Sequence, residues 1–177
     1  MIVKKKILAI CGSTRIKSTN GFLIRAISTL SQEVFTIEIF DGLAGLPHFN
    51  PDFDNEYPPI QVLNFRNKLK NADGILICTP EYAMGVPGSL KNAIDWTVSS
   101  CEFSNKPTAL ITASLSGLKG HASLLETLNI IEARISQETQ LIISYAKNKV
   151  SNQGYITDET TLMEVKNLTQ SLYALMN

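Results

Sequence analysis

Short apolar runs alternate with amphipathic segments along the chain, and this alternation constrains the fold more than any other feature of the sequence. The apolar runs cover residues 6–11, 34–40, 74–79, 107–113 and 140–145. Between them, and after the last one, apolar residues recur at helical spacing over residues 20–31, 60–72, 87–99, 120–136 and from about residue 158. Strands that alternate with helices form right-handed crossovers, so the strands lie parallel and are covered on both faces.

The pattern predicts an α/β fold in three layers, with a doubly wound, five-stranded parallel sheet in the order 2-1-3-4-5. A length of 177 residues suits one domain that spans residues 1–177. Sheets of this order bind ligands at the carboxyl ends of their strands, near the switch point between strands 1 and 3. The loops after strands 1, 3 and 4 are therefore the candidate functional segments.

Charge and cysteine content exclude several classes of protein. Sixteen basic residues balance sixteen acidic ones, so the net charge gives no reason to bind nucleic acid or an anionic membrane. No apolar stretch approaches the roughly 20 residues of a membrane span. Three cysteines without a CxxC spacing argue against a disulfide framework and for a cytoplasmic protein with reduced thiols. Cys11 and Cys78 fall in predicted buried strands, whereas Cys101 falls in a polar loop.

The loop after strand 1 reads GSTRIKSTN, at residues 12–20, and runs directly into a predicted helix. The free N–H groups of a helix N-terminus attract phosphate. Ser13, Ser18 and Thr19 add hydroxyl groups, Arg15 adds a guanidinium, and Asn20 can donate its side-chain amide or cap the helix. Ordinary capping is the alternative reading. The loop lacks both GxGxxG and GxxxxGK[ST], which favours a monophosphate over a dinucleotide or a triphosphate.

The loop after strand 3 reads TPEYAMGVPG, at residues 79–88. Its two prolines stiffen the chain, and Gly85 and Gly88 allow the backbone to approach a ligand closely. Such a loop can present backbone N–H and C=O groups to the edge of a flat heterocycle, while Tyr82 and Met84 supply apolar contact. The alternative is a rigid turn that only connects the strand to the next helix.

These motifs resemble those of the NADPH-dependent FMN reductase family, a flavodoxin-like group that includes quinone, azo-dye and chromate reductases. The similar segments are GSTRIKSTN at 12–20, LPHFNPDFD at 46–54, TPEYAMGVPGSLKNAIDW at 79–96 and ASLSGLKG at 113–120. The resemblance implies contacts from the first loop to the FMN phosphate, from the second to the isoalloxazine ring, and from a third segment beside the flavin. The candidate cofactor-binding residues of these three groups are Ser13, Arg15, Ser18, Thr19 and Asn20; Pro80, Glu81, Tyr82, Ala83, Met84 and Gly85; and Ser114 and Gly117.

The resemblance also implies an activity. A nicotinamide cofactor, NADPH or NADH, would pass hydride through bound FMN to a small acceptor such as a quinone, an azo compound, a metal oxyanion or free flavin. The flavin carries this chemistry, so no catalytic side chain and no metal site are expected. The family resemblance further implies a homodimer or a tetramer. The alternatives are a flavodoxin-like electron carrier, against which the zero net charge weighs, and a flavin-free interaction domain.

The chain departs from the family pattern at two places. Ala83 stands where the family usually has Asn, and residues 119–121 read Lys-Gly-His where a Gly-Gly turn is usual. Lys119 and Arg66 are candidate cations for the 2′-phosphate of NADPH. Trp96, in a helix with apolar spacing, is expected in the core or at a dimer contact. The acidic residues Asp52, Asp54 and Glu56 are expected on a solvated face or in a lid.

Overall fold

The computed structural model describes residues 3–177, which form a twisted sheet with helices on both faces. The strands are β1 (Lys5–Cys11), β2 (Phe35–Phe40), β3 (Gly74–Thr79), β4 (Thr108–Ala113) and β5 (Gln140–Ile143). The helices are α1 (Thr19–Leu30), α2 (Ile60–Asn71), α3 (Gly88–Asp95), α4 (Leu118–Ile130) and α5 (Glu159–Ala174). No helix within these residues is both long enough and apolar enough to cross a membrane.

The sheet has the order β2-β1-β3-β4-β5, and each neighbouring pair of strands is parallel. This confirms the predicted α/β architecture and strand order. Every residue of β3 and β4 is buried, as expected for central strands that are covered on both faces. The carboxyl ends of β1, β3, β4 and β5 therefore meet at one edge of the sheet.

Two apolar cores lie on opposite faces of the sheet. Helices α2, α3 and α4 cover one face, where Phe65, Leu90 and Leu124 are completely buried. Helices α1 and α5 cover the other face, where Leu23 and Val165 are completely buried. Both cores leave the carboxyl edge of the sheet uncovered between α1 and the loops that follow β3, β4 and β5.

Three elements end where the sequence pattern alone does not predict it. Strand β5 stops at Ile143 instead of residue 145, because Tyr145 adopts a left-handed conformation with φ 54°. Helix α4 stops at Ile130, because the chain turns through Glu132 with φ 60°. Helix α3 stops at Asp95, because both the N–H and the hydroxyl of Thr97 bond the Ile94 carbonyl in a tight turn.

The long loop between β2 and α2 is fastened to α3 by an aromatic anchor. Trp96 is fully buried, and its indole N–H donates to the Pro47 carbonyl at 2.9 Å. Its ring packs edge-on against Phe49, with 5.0 Å between the ring centroids. Asn92 accepts from the Phe49 N–H at 2.7 Å and donates to Pro47 at 2.9 Å. Trp96 is thus a core residue of this chain.

An ion pair closes the other end of the same loop. Arg66 Nη2 lies 2.7 Å from Asp54 Oδ1, and both side chains are 10% exposed. Arg66 also donates to the Trp96 carbonyl, and the Ser99 hydroxyl donates to Asp54 at 2.7 Å. The prediction that Asp54 lies on a solvated face is therefore wrong. The prediction that Arg66 binds the 2′-phosphate of NADPH is also wrong, because its guanidinium bonds Asp54 and the Trp96 carbonyl inside the fold.

The cysteines divide as follows. Cys78 is fully buried in β3, and burial raises the pKa of its thiol well above the ordinary value. Cys101, in the polar loop, is exposed. Cys11 is only half-buried, which corrects the expectation of a core position. Its thiol donates to the Ser13 carbonyl at 3.3 Å, because the last residue of β1 lies beneath the loop that follows it.

Replacing Asp54 tests the ion pair that closes the long loop. Asp54→Asn leaves the Arg66 guanidinium without its carboxylate, and we expect a loss of about 2–3 kcal/mol in the free energy of unfolding. Asp52→Asn removes the same charge from an exposed position in the same loop and should cost no more than about 0.5 kcal/mol. Urea unfolding monitored by fluorescence gives both values, and equal losses would contradict a stabilising role of the Asp54–Arg66 ion pair.

The same pair predicts a pH dependence. Burial opposes ionisation of Asp54, but hydrogen bonds from Arg66 and Ser99 and the charge of Arg66 outweigh it and lower the pKa of the carboxyl. A lowered pKa contributes stability above the ordinary value of about 4, and this contribution is lost as the pH falls through the folded-state pKa. The stability difference between the wild type and Asp54→Asn should therefore shrink below about pH 4.

Candidate functional site

A cleft of about 390 Å³ opens at the carboxyl edge of the sheet, on the face that carries α1. Four segments supply its walls: the loop after β1, the start of the loop after β3, and the segments that follow β4 and β5. The lining residues are Ser13, Arg15, Ser18, Thr19, Asn20, Pro80, Tyr82, Ala113, Ser114, Leu115, Tyr145, Ala146, Lys147 and Asn148. The lining thus contains two cations and no carboxylate, which favours an anionic ligand.

The loop after β1 starts from a tight contact between strands. The Gly12 N–H donates to the Cys78 carbonyl at 2.8 Å, and a Cβ at this position would overlap the side chain of Thr79. The loop ends at Ser18, which caps α1: its backbone is extended, and its hydroxyl oxygen accepts from the Gly21 N–H at 3.4 Å. Thr19 and Asn20, the first two residues of α1, line the cleft, and their N–H groups form no hydrogen bond within residues 3–177.

Asn20 does not cap the helix, because Ser18 does, which corrects one of the two roles that the sequence suggested for that side chain. It lies inside the first turn of α1, where its Nδ2 donates to the Ala113 carbonyl at the end of β4, at 3.0 Å. Its Oδ1 is buried and has no hydrogen-bond partner among residues 3–177. Asn20, a residue that is 3% exposed, thus carries an unpaired acceptor and belongs to the cleft lining.

Arg15 and Ser13 occupy the middle of the loop. The Arg15 side chain is exposed, while its backbone N–H lies 3.4 Å from the Ser13 oxygen. The Ser13 hydroxyl also lies 3.4 Å from the hydroxyl of Tyr82. This contact joins the loop after β1 to the loop after β3 across the switch point of the sheet.

The loop after β3 closes in a tight turn with an unusual backbone. The Tyr82 N–H donates to the Gly85 carbonyl at 3.1 Å, and the Gly85 N–H donates to the Tyr82 carbonyl at 2.9 Å. The two central residues, Ala83 and Met84, have φ angles of 48° and 60°. A turn with two positive φ angles is of type I′. Both central side chains are exposed, Met84 to 74%.

Glu81 fastens this loop to the start of α4. Its carboxylate accepts from the Gly117 N–H at 3.3 Å and from the Gly120 N–H at 2.7 Å. A Cβ at Gly120 would lie 3.1 Å from the Gly85 carbonyl oxygen, so a side chain here would crowd this close approach. The Ser114 hydroxyl donates to the Glu81 carbonyl at 3.4 Å. The acidic side chain thus serves the helix terminus, where its charge is favourable.

The predicted residues therefore separate into two groups. Eight of them line the cleft, namely Ser13, Arg15, Ser18, Thr19, Asn20, Pro80, Tyr82 and Ser114. Glu81, Ala83, Met84, Gly85 and Gly117 lie outside that lining, in the turn after β3 and at its junction with α4.

The wall that follows β5 escaped the sequence-based prediction. It contributes Tyr145, Ala146, Lys147 and Asn148 to the cleft. The signal was available, because every parallel strand of the sheet ends at the same edge.

Residues 119–121, where the sequence departs from the family pattern, lie in the first turns of α4, next to the contact between Glu81 and Gly120. His121 is buried, and its Nδ1 lies 2.9 Å from the Thr112 hydroxyl oxygen. Burial lowers the pKa of its imidazole, opposed by a hydrogen bond with Gln140. His121 is therefore a buried residue that contacts β4, while the N–H of the neighbouring Gly120 donates to Glu81. Lys119 is exposed.

Comparison with known proteins gives consistent matches. A family model described as NADPH-dependent FMN reductase matches residues 5–148. An NAD(P)H-dependent FMN reductase of Pseudomonas aeruginosa is 34% identical over 174 residues, covering 94% of this chain and 92% of the relative. A 2-hydroxy-1,4-benzoquinone reductase of a Burkholderia species is 29% identical over 162 residues, covering 88% and 87%. The solved structure of a flavoenzyme NAD(P)H:(acceptor) oxidoreductase from Paracoccus denitrificans superposes with a TM-score of 0.87 at 25% identity, covering 97% of both chains.

The type I′ turn predicts a stabilising substitution. Alanine pays a steric cost in the left-handed region that asparagine largely avoids, so Ala83→Asn should raise the free energy of unfolding by about 0.5–1 kcal/mol. Ala122→Asn, at an exposed site inside α4, should lower it by about 0.5 kcal/mol through helix propensity. Thermal unfolding should therefore shift the two variants in opposite directions. A decrease for Ala83→Asn would contradict the turn geometry.

Proposed function

This chain belongs to the NADPH-dependent FMN reductase family, and we propose that it uses electrons from NADPH or NADH to reduce a small quinone-type acceptor by way of bound FMN. The observation that carries the proposal is the convergence of Arg15, three hydroxyl side chains and the first turn of α1 on one cleft without a carboxylate. Such a set of donors suits a phosphate monoester. The cleft volume falls within the range of small-molecule sites, roughly 300–1,000 Å³.

The residues present fit FMN at two chemically different points. The Arg15 guanidinium and the N–H groups of the first α1 turn would hold the phosphate, together with the hydroxyls of Ser13, Ser18 and Thr19. The free Oδ1 of Asn20 is an acceptor and suits an O–H donor, such as a ribityl hydroxyl, better than a phosphate oxygen. A buried acceptor without a partner is costly, so a ligand hydroxyl at this point would stabilise the site.

The turn after β3 would meet the heterocycle edge through its backbone. Tyr82 and Gly85 use their N–H groups within the turn, whereas the N–H groups of Ala83 and Met84 form no hydrogen bond among residues 3–177. Those two N–H groups remain available to carbonyl and nitrogen acceptors of a flat ring. Glu81 would act as a positioning residue, because its bonds to α4 hold the turn in place.

When bound, FMN supplies hydride and electron transfer between the nicotinamide and the acceptor. The side chains of the cleft would bind and orient, since its lining offers no carboxylate or imidazole to act as a general base. The half-exposed ring of Tyr82 gives an aromatic surface at the cleft rim. That surface, and the relative named as a benzoquinone reductase, support a quinone-type acceptor over a metal oxyanion.

We further propose a cytoplasmic homodimer with one domain per chain. Support for the dimer comes from exposed apolar side chains that follow one another along the chain, namely Phe53, Tyr57, Ile60 and Leu63, since such groups favour a protein contact. The free thiols support a reducing compartment. Light scattering after gel filtration should give twice the 19.5 kDa chain mass, and a monomeric mass would contradict the dimer.

The proposed phosphate contacts predict that removal of Arg15 selectively weakens FMN binding. Arg15→Ala removes a charge-assisted hydrogen bond to the phosphate, and we expect the Kd for FMN to rise about 10- to 100-fold. Lys17→Ala removes the same charge from an exposed residue of the same loop that does not line the cleft. Its Kd should stay within about 2-fold of the wild type. Equal effects of both variants would show that Arg15 makes no specific contact.

Anaerobic mixing tests the reaction itself. Addition of NADPH or NADH to the FMN-loaded protein should bleach the flavin absorbance, and later addition of menadione should restore it. Bleaching that fails with both cofactors would contradict the reductase and favour an electron carrier. An apoprotein that takes up no FMN would favour the flavin-free interaction domain.

A further inference from the structure

The segment after β5 forms a wall of the cleft, and its first cleft residue is aromatic. Tyr145 lines the cleft beside Ala146, and the phenol ring is largely exposed, with 61% of the residue accessible. The Tyr145 hydroxyl forms no hydrogen bond within residues 3–177, and no ring of that part of the chain stacks on it. The fold itself therefore makes little use of this side chain.

The backbone of Tyr145 is held in a conformation that a bulky side chain rarely adopts. Its φ and ψ angles are 54° and 37°, in the left-handed region. Glycine or asparagine would occupy this region at lower cost. Residues kept in such conformations cluster at ligand sites, where the surrounding structure enforces them.

Three hydrogen bonds enforce the conformation. The Tyr145 N–H donates to the Leu115 carbonyl at 3.2 Å, and the Ala146 N–H donates to the Ser114 carbonyl at 3.1 Å. The Ser144 hydroxyl donates to the Ser116 carbonyl at 3.1 Å. The segment after β5 is thus docked on the loop after β4, whose Ser114 also lines the cleft and binds the Glu81 carbonyl. The ring is consequently displayed from a rigid support.

We propose that Tyr145 is an aromatic contact for the flavin bound in the cleft, and that its left-handed backbone is retained to present the ring there. An exposed ring that becomes covered by a flat ligand contributes both buried area and ring–ring attraction. This inference rests on the proposed FMN site but adds an aromatic contact to it, from the segment after β5. It also gives the segment after β5 a role that no sequence motif predicted.

Three variants separate the ring from the backbone. Tyr145→Gly removes the ring and suits the left-handed backbone, so the thermal midpoint of the apoprotein should not fall. Tyr145→Phe keeps the ring. Tyr155→Ala removes another exposed tyrosine, one that does not line the cleft. FMN titration of each apoprotein, followed by calorimetry and by flavin fluorescence, measures affinity and ring contact without any turnover.

The expected result is a Kd for FMN that rises about 3- to 10-fold in Tyr145→Gly and stays within about 2-fold in Tyr145→Phe and Tyr155→Ala. The fluorescence of bound FMN should increase in both Tyr145→Gly and Tyr145→Phe, because a contacting phenol quenches the excited flavin by electron transfer and a phenyl ring does not, and it should not change in Tyr155→Ala. Unchanged affinity and fluorescence in Tyr145→Gly would overturn the contact. Wild-type apoprotein that binds no FMN would instead overturn the proposed function.

Discussion

The parallel pairing of β1 with β3 is the constraint on which the rest of the structure depends. Its register sets Cys11 opposite Cys78, and the Gly12 N–H closes the pairing on the Cys78 carbonyl. From that point β1 continues into α1 on one face of the sheet, while β3 continues toward α3 on the other face. A crevice opens between chains that diverge in this way. The proposed phosphate loop and the turn after β3 are neighbours for this reason.

The charges around the crevice follow from how Glu81 is used. Glu81 stands between the cleft residues Pro80 and Tyr82 in the sequence. Its carboxylate nevertheless accepts hydrogen bonds from the N–H groups of Gly117 and Gly120 at the start of α4. The cleft lining therefore keeps Arg15 and Lys147 without an opposing carboxylate. The same bonds fix the turn at residues 82–85, so one side chain both orders a wall of the site and preserves the positive potential that an anionic cofactor requires.

Local sequence patterns predicted the elements and their order, because continuous apolar runs specify buried parallel strands wherever they occur. They did not predict the ends of β5 and α4, where Tyr145 and Glu132 adopt positive φ angles that their residue types do not suggest. The proposed phosphate loop was recognisable from its hydroxyl, guanidinium and amide groups. The orientation of Asn20 was not, because it depends on the Ala113 carbonyl, a partner distant in sequence. The Asp54–Arg66 pair was missed for the same reason.

We propose that this cleft binds the phosphate monoester of a flavin. Calorimetric titration of the apoprotein with FMN and, in parallel, with riboflavin tests it most directly, because the two ligands share the ring and the ribityl chain and differ in the phosphate. FMN should bind at least about 100-fold more tightly, as expected when several charge-assisted hydrogen bonds are lost together. Equal affinity for FMN and riboflavin would contradict the claim.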